Sequence, residues 1–184
     1  MEYKMIIAGL ERYLPLCPIS EDTYIAGFVM FNDVELTTAV ATELLARAPE
    51  FDVIVTAESK GIPLAYEMAR QNGNSPYIVA RKGAKAYMQD VVEVSVDSIT
   101  TDHRQILCLG KAERDIINGK RILVVDDVVS TGESLAAVDK LIEVSGGNIV
   151  GQCAVLAEGD AMKREDIFFL NELPLFNADG TPKK

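Results

Sequence analysis

The sequence predicts an α/β fold, with a mainly parallel central sheet flanked by helices and one antiparallel hairpin. Three observations predict it. Short apolar, β-branched runs alternate with segments whose apolar residues recur at helical spacing, the pattern of strands joined by helical crossovers. The strand-like runs are apolar almost throughout, as in a sheet covered on both faces. Two of them, 91–96 and 104–110, follow each other with no helix between, which suits antiparallel neighbours.

The elements follow in order along the chain. DVELTTAVATELLARA (33–48) has helical spacing, and Asp33 is placed to cap its start. FDVIVTA (51–57) is a buried strand. GIPLAYEMARQNG (61–73) is a helix that tolerates Pro63 in its first turn and stops at Gly73. PYIVA (76–80) is the next strand. RKGAKAYMQD (81–90) has neither period and is a long loop. VVEVSV (91–96) and RQILCLG (104–110) form the hairpin. RILVV (121–125) is a buried strand, GESLAAVDKLIEVSGG (132–147) a helix, NIVGQCAVLAE (148–158) a strand, and IFFL (167–170) a last strand. No internal repeat or low-complexity segment interrupts this order.

Length and charge bound the function. A chain of 184 residues suits one domain, 1–184. The net charge of −10 argues against a nucleic-acid binder, which needs a positive footprint. It leaves room for a small anionic ligand held by backbone amides and a few cations. MEYKMIIAGLERYLPLC has no long apolar stretch after a basic head, so no secretory signal is read. No run approaches the ~18 apolar residues a membrane span needs. Cys17, Cys108 and Cys153 lack metal spacing and read as buried small hydrophobes in a reducing cytoplasm. A cytoplasmic location is therefore expected.

The stretch RILVVDDVVSTGES (121–134) does not read as ordinary core. Asp126 and Asp127 stand at the carboxyl end of a buried strand, where ligands sit in open parallel sheets. The following helix offers unpaired amides with partial positive charge from Val128 to Ser134. Ser130, Thr131 and Ser134 add hydroxyls, and Gly132 lets the backbone approach closely. This is a phosphate cradle. Two carboxylates beside a phosphate would accept hydrogen bonds from neutral hydroxyls or hold a divalent cation. The vicinal diol of a ribose phosphate satisfies both demands.

VVDDVVSTGES closely resembles the phosphoribosyl-pyrophosphate signature of the type I phosphoribosyltransferases, with Glu133 and Ser134 as its departures. TAESKGIP (56–63) resembles that family's pyrophosphate loop, VARKGAKAYM (79–88) the start of its mobile catalytic loop, and GFVMFND (27–33) its base-contacting segment. The resemblance covers roughly residues 25–170 and is strongest to the adenine branch. Two positions depart from that branch and look more like the xanthine branch: Asn32 stands for the adenine enzymes' Arg and Thr100 for their Glu. Glu158-Gly159 in turn lacks the base-contacting Lys of the xanthine branch.

The resemblance implies the type I phosphoribosyltransferase fold with an antiparallel mobile-loop hairpin. It also implies transfer of a phosphoribosyl group from phosphoribosyl pyrophosphate to a purine, with adenine favoured and xanthine or another purine the alternative. Asp126 and Asp127 would hold the ribose hydroxyls. Val128, Val129, Ser130, Thr131, Gly132, Glu133 and Ser134 would hold the 5-phosphate, and Ser59, Lys60 and Gly61 the pyrophosphate. Arg81, Lys82 and Lys85 would supply catalytic positive charge, across the interface of a homodimer. Phe31 and Val128 would sandwich the base beside Asn32. Mg²⁺ would be held mainly by substrate, with Asp126 and Asp127 as its protein ligands. The family's pyrophosphate loop also implies a cis peptide at Glu58-Ser59. His103 is read as a surface residue.

Two other classes are weighed. A phosphoribosyl-pyrophosphate-sensing transcriptional regulator shares the fold but carries a basic DNA-binding domain before it. Here about two dozen residues precede the base segment, and the chain is acidic. A phospho-receiver domain has its acidic pair near the first strand, whereas this pair falls two-thirds along the chain.

Overall fold

The computed structural model describes residues 1–96 and 105–183. Thr100 and His103 lie outside the described residues. The chain opens with β1 (Glu2–Ile7), β2 (Leu10–Pro18) and β3 (Tyr24–Ala26), an antiparallel three-stranded sheet in that order. Then come α1 (Val34–Arg47), β4 (Val53–Ala57), α2 (Ile62–Gln71), β5 (Tyr77–Ala80), β6 (Val92–Val96) and β7 (Gln105–Leu109). They are followed by α3 (Lys111–Ile117), β8 (Arg121–Val129), α4 (Glu133–Val144), β9 (Asn148–Glu158) and β10 (Phe168–Leu173). The central sheet has the order β10-β9-β8-β4-β5, with every pair parallel. β6 and β7 form a separate antiparallel hairpin. This is the α/β architecture expected of the type I phosphoribosyltransferase fold.

The pleat explains the two-sided core. Successive side chains of a strand point to opposite faces. Leu123 and Val125 therefore pack with Leu36, Leu44, Leu64 and Met68 of α1 and α2. Ile122 and Val124 pack with Leu135, Val138 and Ile142 of α4 and with Leu107 and Leu109 of the hairpin. Burial on both faces is why these strands are apolar throughout.

The helix ends follow local chemistry. The Asp33 carboxylate accepts the Leu36 N–H at 3.0 Å, capping α1, and also accepts Arg12 Nε at 2.7 Å, which ties β2 to that helix. Pro63 lies in the first turn of α2. Gly146, with φ +76°, follows α4.

Several expectations change. The first 26 residues were not read as strands, yet they carry β1, β2 and β3, and α3 was also unread. β8 runs to Val129, so Asp126 and Asp127 lie within its hydrogen-bonded length rather than beyond residue 125. Cys108 and Cys153 are buried as expected, but Cys17 is exposed, because it sits near the end of β2 where that strand leaves the core. Residues 81–90 form a loop without helix or strand, as expected, joined to β7 by a bridge between Arg81 and Cys108.

Candidate active site

The carboxyl ends of β4 and β8 meet the starts of α2 and α4, as parallel connections require. A cavity of about 390 Å³ lies there. It is lined by Ala57, Glu58, Ser59, Lys60, Lys82, Leu107, Asp126, Asp127, Val128 and Ser134. Seven of these residues were named from the sequence: Ser59, Lys60, Lys82, Asp126, Asp127, Val128 and Ser134. The fold brings them together from three separate stretches.

The acidic pair is not an open, solvated one. Asp127 is only 3% exposed, and Lys60 Nζ stands 2.8 Å from its Oδ2. That contact lies off the line of a hydrogen bond, so the oxygen is charge-paired yet has no directed donor. The Asp127 N–H donates to Asp126 Oδ1 at 2.8 Å. Burial pushes the Asp126 carboxyl well above the usual carboxylate range, the neighbouring Asp127 charge adds to this, and Lys60 opposes it. At the end of β9, Glu158 is half-buried, and burial raises its carboxyl also, again against Lys60.

A second, small cavity of about 60 Å³ continues from the first along the cradle, lined by Asp126, Val128, Val129, Ser130, Thr131, Gly132, Ser134 and Leu135. Gly132 has φ +79°, a left-handed conformation that a side chain resists. A Cβ there would also overlap the Arg164 guanidinium, which packs against this glycine. The Thr131 hydroxyl accepts the Glu133 N–H at 3.4 Å. Free amides at the start of α4 and small hydroxyl side chains around the cavity suit a phosphate.

In the loop between β4 and α2 the Glu58-Ser59 peptide is cis. Gly61 has an ordinary negative φ, so its need for glycine is spatial. A Cβ would overlap the Thr56 hydroxyl and lie 3.3 Å from Asp126 Oδ1. Thr56 is fully buried, and its hydroxyl has no hydrogen-bond partner among the described residues.

The cations of the long loop enter from the side. Arg81 Nε donates to Glu58 Oε2 at 3.2 Å, and the Lys82 N–H donates to the same oxygen at 2.9 Å. These contacts hold the Glu58 carboxyl below its usual range, the Lys82 amide contributing most. Arg81 Nη1 donates to the Tyr87 hydroxyl at 2.7 Å. The Lys85 charge also acts on Glu58.

Phe31 and Asn32 lie elsewhere. They line an open apolar cavity of about 580 Å³ with Val34, Ile62, Pro63, Tyr66 and Tyr77, among others. Phe31, expected to face Val128 across a base slot, lines this cavity, while Val128 lines the one beside the acidic pair. Thr56, Tyr87 and Arg164 were not singled out from the sequence, and Glu58 was named only for its cis peptide, not for its carboxylate. Glu58 is adjacent to Ser59 and could have been found there, whereas Arg164 reaches the cradle from the segment after β9 and carries no local signal.

Among the described residues no three His, Cys, Asp or Glu side chains cluster as metal ligands. A cation at this site would draw on Asp126, Asp127 and the oxygens of its ligand. Among the same residues, no helix is long and apolar enough to cross a membrane.

Comparison with known proteins agrees with this geometry. Residues 36–178 match the family model of the phosphoribosyl transferase domain. The chain is similar to a hypoxanthine/guanine phosphoribosyltransferase of Methanococcus voltae, 37% identical over 139 residues, which are 75% of this chain and 70% of that protein. It is similar to the purine biosynthesis transcriptional repressor PurR of Bacillus subtilis, 29% identical over 162 residues, 85% of this chain but 52% of the repressor. In structure it is similar to the adenine phosphoribosyltransferase of Thermoanaerobacter pseudethanolicus, with a TM-score of 0.70 at 20% identity, covering 86% of this chain and 95% of that one.

Proposed function

We propose, on the premise that this chain belongs to the phosphoribosyl transferase family, that it transfers the phosphoribosyl group of phosphoribosyl pyrophosphate to a purine base, giving a nucleoside monophosphate and pyrophosphate. The observation that carries this reading is the meeting of three anion- and diol-binding elements around adjoining cavities. The amides and hydroxyls of 128–134 suit the 5-phosphate, Asp126 and Asp127 the ribose diol, and Ser59, Lys60 and Gly61 the diphosphate.

Breaking a ribosyl–oxygen bond builds positive charge on the sugar, so positioning and charge stabilisation do most of the work. Asp126 and Asp127 hold the hydroxyls beside the reacting carbon and favour that charge when ionised. Lys60, Lys82, Arg81 and Lys85 hold the departing diphosphate. Leu107 and Val128 give the cavity an apolar edge beside the reacting centre. Mg²⁺ fits an oxygen-only donor set of two neighbouring carboxylates completed by phosphate oxygens. Bound at Asp126 and Asp127, it would neutralise charge on the leaving group.

Adenine is the base assigned, supported by the resemblance of segment 27–33 to the adenine branch; segment 79–88 resembles the adenine and xanthine branches alike. Hypoxanthine or guanine is the second reading, favoured by the 37% identical relative. A homodimer belongs to the same proposal. Val34, Tyr66 and Tyr77 are exposed around one apolar cavity, a face suited to a second copy. Sedimentation velocity should give a dimer, and an active monomer at assay dilution removes this part. Three free cysteines and an acidic chain suit a cytoplasmic location. Titration of phosphoribosyl pyrophosphate into the protein with Mg²⁺ tests the reading; absence of binding overturns it.

A further inference from the structure

We propose that Glu58 is an internal stand-in for the diphosphate: its carboxylate competes for the loop's donors and is exchanged for the ligand, which weakens pyrophosphate binding and speeds its departure. This inference rests on the functional reading above and adds a residue to it.

Glu58 Oε2 takes the Lys82 N–H at 2.9 Å and Arg81 Nε at 3.2 Å. Those are the first two cationic residues of the loop, and Lys82 and Glu58 line the same cavity as Ser59 and Lys60. A carboxylate oxygen and a phosphoryl oxygen have the same chemistry toward such donors, and one N–H cannot serve both well. A diphosphate seated beside Ser59 and Lys60 must take the donors from Glu58 or leave its own charge facing that carboxylate.

The site holds two such pairs, and burial separates their roles. Lys60 is paired with Asp127, which is 3% exposed and fixed in the floor. The two pairs differ in their acids, since the Glu58 side chain is 24% exposed against 4% for Asp127. The pair with the more exposed acid is the one that exchanges at low cost. The main chain is arranged for a side-chain exchange. The Arg81 N–H donates to the Cys108 carbonyl at 3.0 Å and the Cys108 N–H to the Arg81 carbonyl at 2.8 Å, so the backbone stays joined to β7 while the guanidinium swings. Tyr87 braces the paired pose through its hydroxyl, 2.7 Å from Arg81 Nη1. A purely structural Glu58, one that only props the turn before α2, predicts the opposite outcome. Its loss would loosen the diphosphate site and weaken binding.

The test is calorimetric titration of the full-length protein with magnesium pyrophosphate, and separately with phosphoribosyl pyrophosphate. Glu58→Gln keeps an acceptor for the Lys82 N–H and removes the charge. It should bind magnesium pyrophosphate about fivefold more tightly than wild type, the scale of one partly exposed ion pair. Tyr87→Phe, outside the turn and free of any folding risk to it, should tighten binding in the same direction by less. If wild type binds both ligands and neither variant binds pyrophosphate more tightly, the exchange role is wrong and the functional reading stands. If wild type binds neither ligand, the functional reading fails and takes this inference with it.

Discussion

Gly61→Ala is a one-carbon perturbation with a calculable consequence. Gly61 precedes α2 with φ −73°, so alanine meets no backbone penalty there. The cost is one of space. The added Cβ would sit closer than 3.0 Å to the Thr56 hydroxyl oxygen, a separation real Cβ atoms essentially never show, and 3.3 Å from Asp126 Oδ1. Thr56 is β-branched, fully buried and in β4, so it has no room to rotate away. The strain must move the loop or the acid. Overpacking of this kind costs about 1–3 kcal/mol. For a chain of this size 1 kcal/mol corresponds to roughly 2–4 °C, so a fall in Tm of roughly 4–8 °C is expected for a cost near the middle of that range. Thr56→Ala removes the obstructing hydroxyl, which has no hydrogen-bond partner to lose among the described residues. The double variant should recover about 1 kcal/mol or more, a coupling of the size contacting residues show. The assay is urea denaturation of the four proteins of the cycle, with activity measured alongside. A Gly61→Ala protein as stable as wild type, or a double variant no better than the sum of the singles, refutes the steric account of this glycine.

Further outcomes follow from the acidic pair. Asp126→Asn and Asp127→Asn should each lower kcat/KM by roughly 100-fold or more: Asp127→Asn removes a charge beside the sugar, and Asp126→Asn removes a carboxyl that can ionise once the donor and its cation are bound. The Asp126 variant should stay folded at pH 7, because its neutral amide resembles the protonated acid that burial already favours. The carboxyl of Asp126 is pushed up to about 8 from an ordinary 3.8, so the folded protein holds a proton that the unfolded chain releases. That contribution is full below the ordinary carboxylate range and is lost as pH rises through the folded value. Wild type should therefore lose Tm relative to Asp126→Asn between pH 5 and 8 in thermal melts, on the order of the full linkage window; parallel curves contradict it. Asp52 and Glu67 act in the opposite direction. Arg121 holds Asp52, and Arg70 holds Glu67, at about 2, so both pairs contribute stability that is lost only as pH falls toward those values.

How much was legible in the sequence depended on where the signal lay. Ile122–Val125 and Ile54–Val55 are buried on both faces, and such runs announce themselves. The cradle was legible because all its parts lie within one turn of chain, from Asp126 to Ser134. Amphipathic strands were harder. In β1 only Tyr3, Met5 and Ile7 face inward, and the exposed Ile6 hides the alternation. The seven residues of α3 are too few to show a helical period. The pairing of Lys60 with Asp127 and of Arg81 with Glu58 joins stretches far apart in sequence, so only the fold discloses it. The same holds for the burial of Asp127, which an acidic residue beside a turn does not suggest. Phe31 had a family resemblance to argue from, yet its place in a cavity apart from Val128 depends on how the chain leaves β3 for α1.

The most direct test of the central claim is one spectrophotometric panel. Adenine, hypoxanthine, guanine and xanthine are each incubated with the purified protein, phosphoribosyl pyrophosphate and Mg²⁺, and formation of nucleoside monophosphate and pyrophosphate is followed. The account predicts turnover of at least one purine, adenine fastest, that depends on the ribosyl donor and is abolished by Asp126→Asn with Asp127→Asn. Absence of product from all four bases, with a folded protein and every component present, contradicts it.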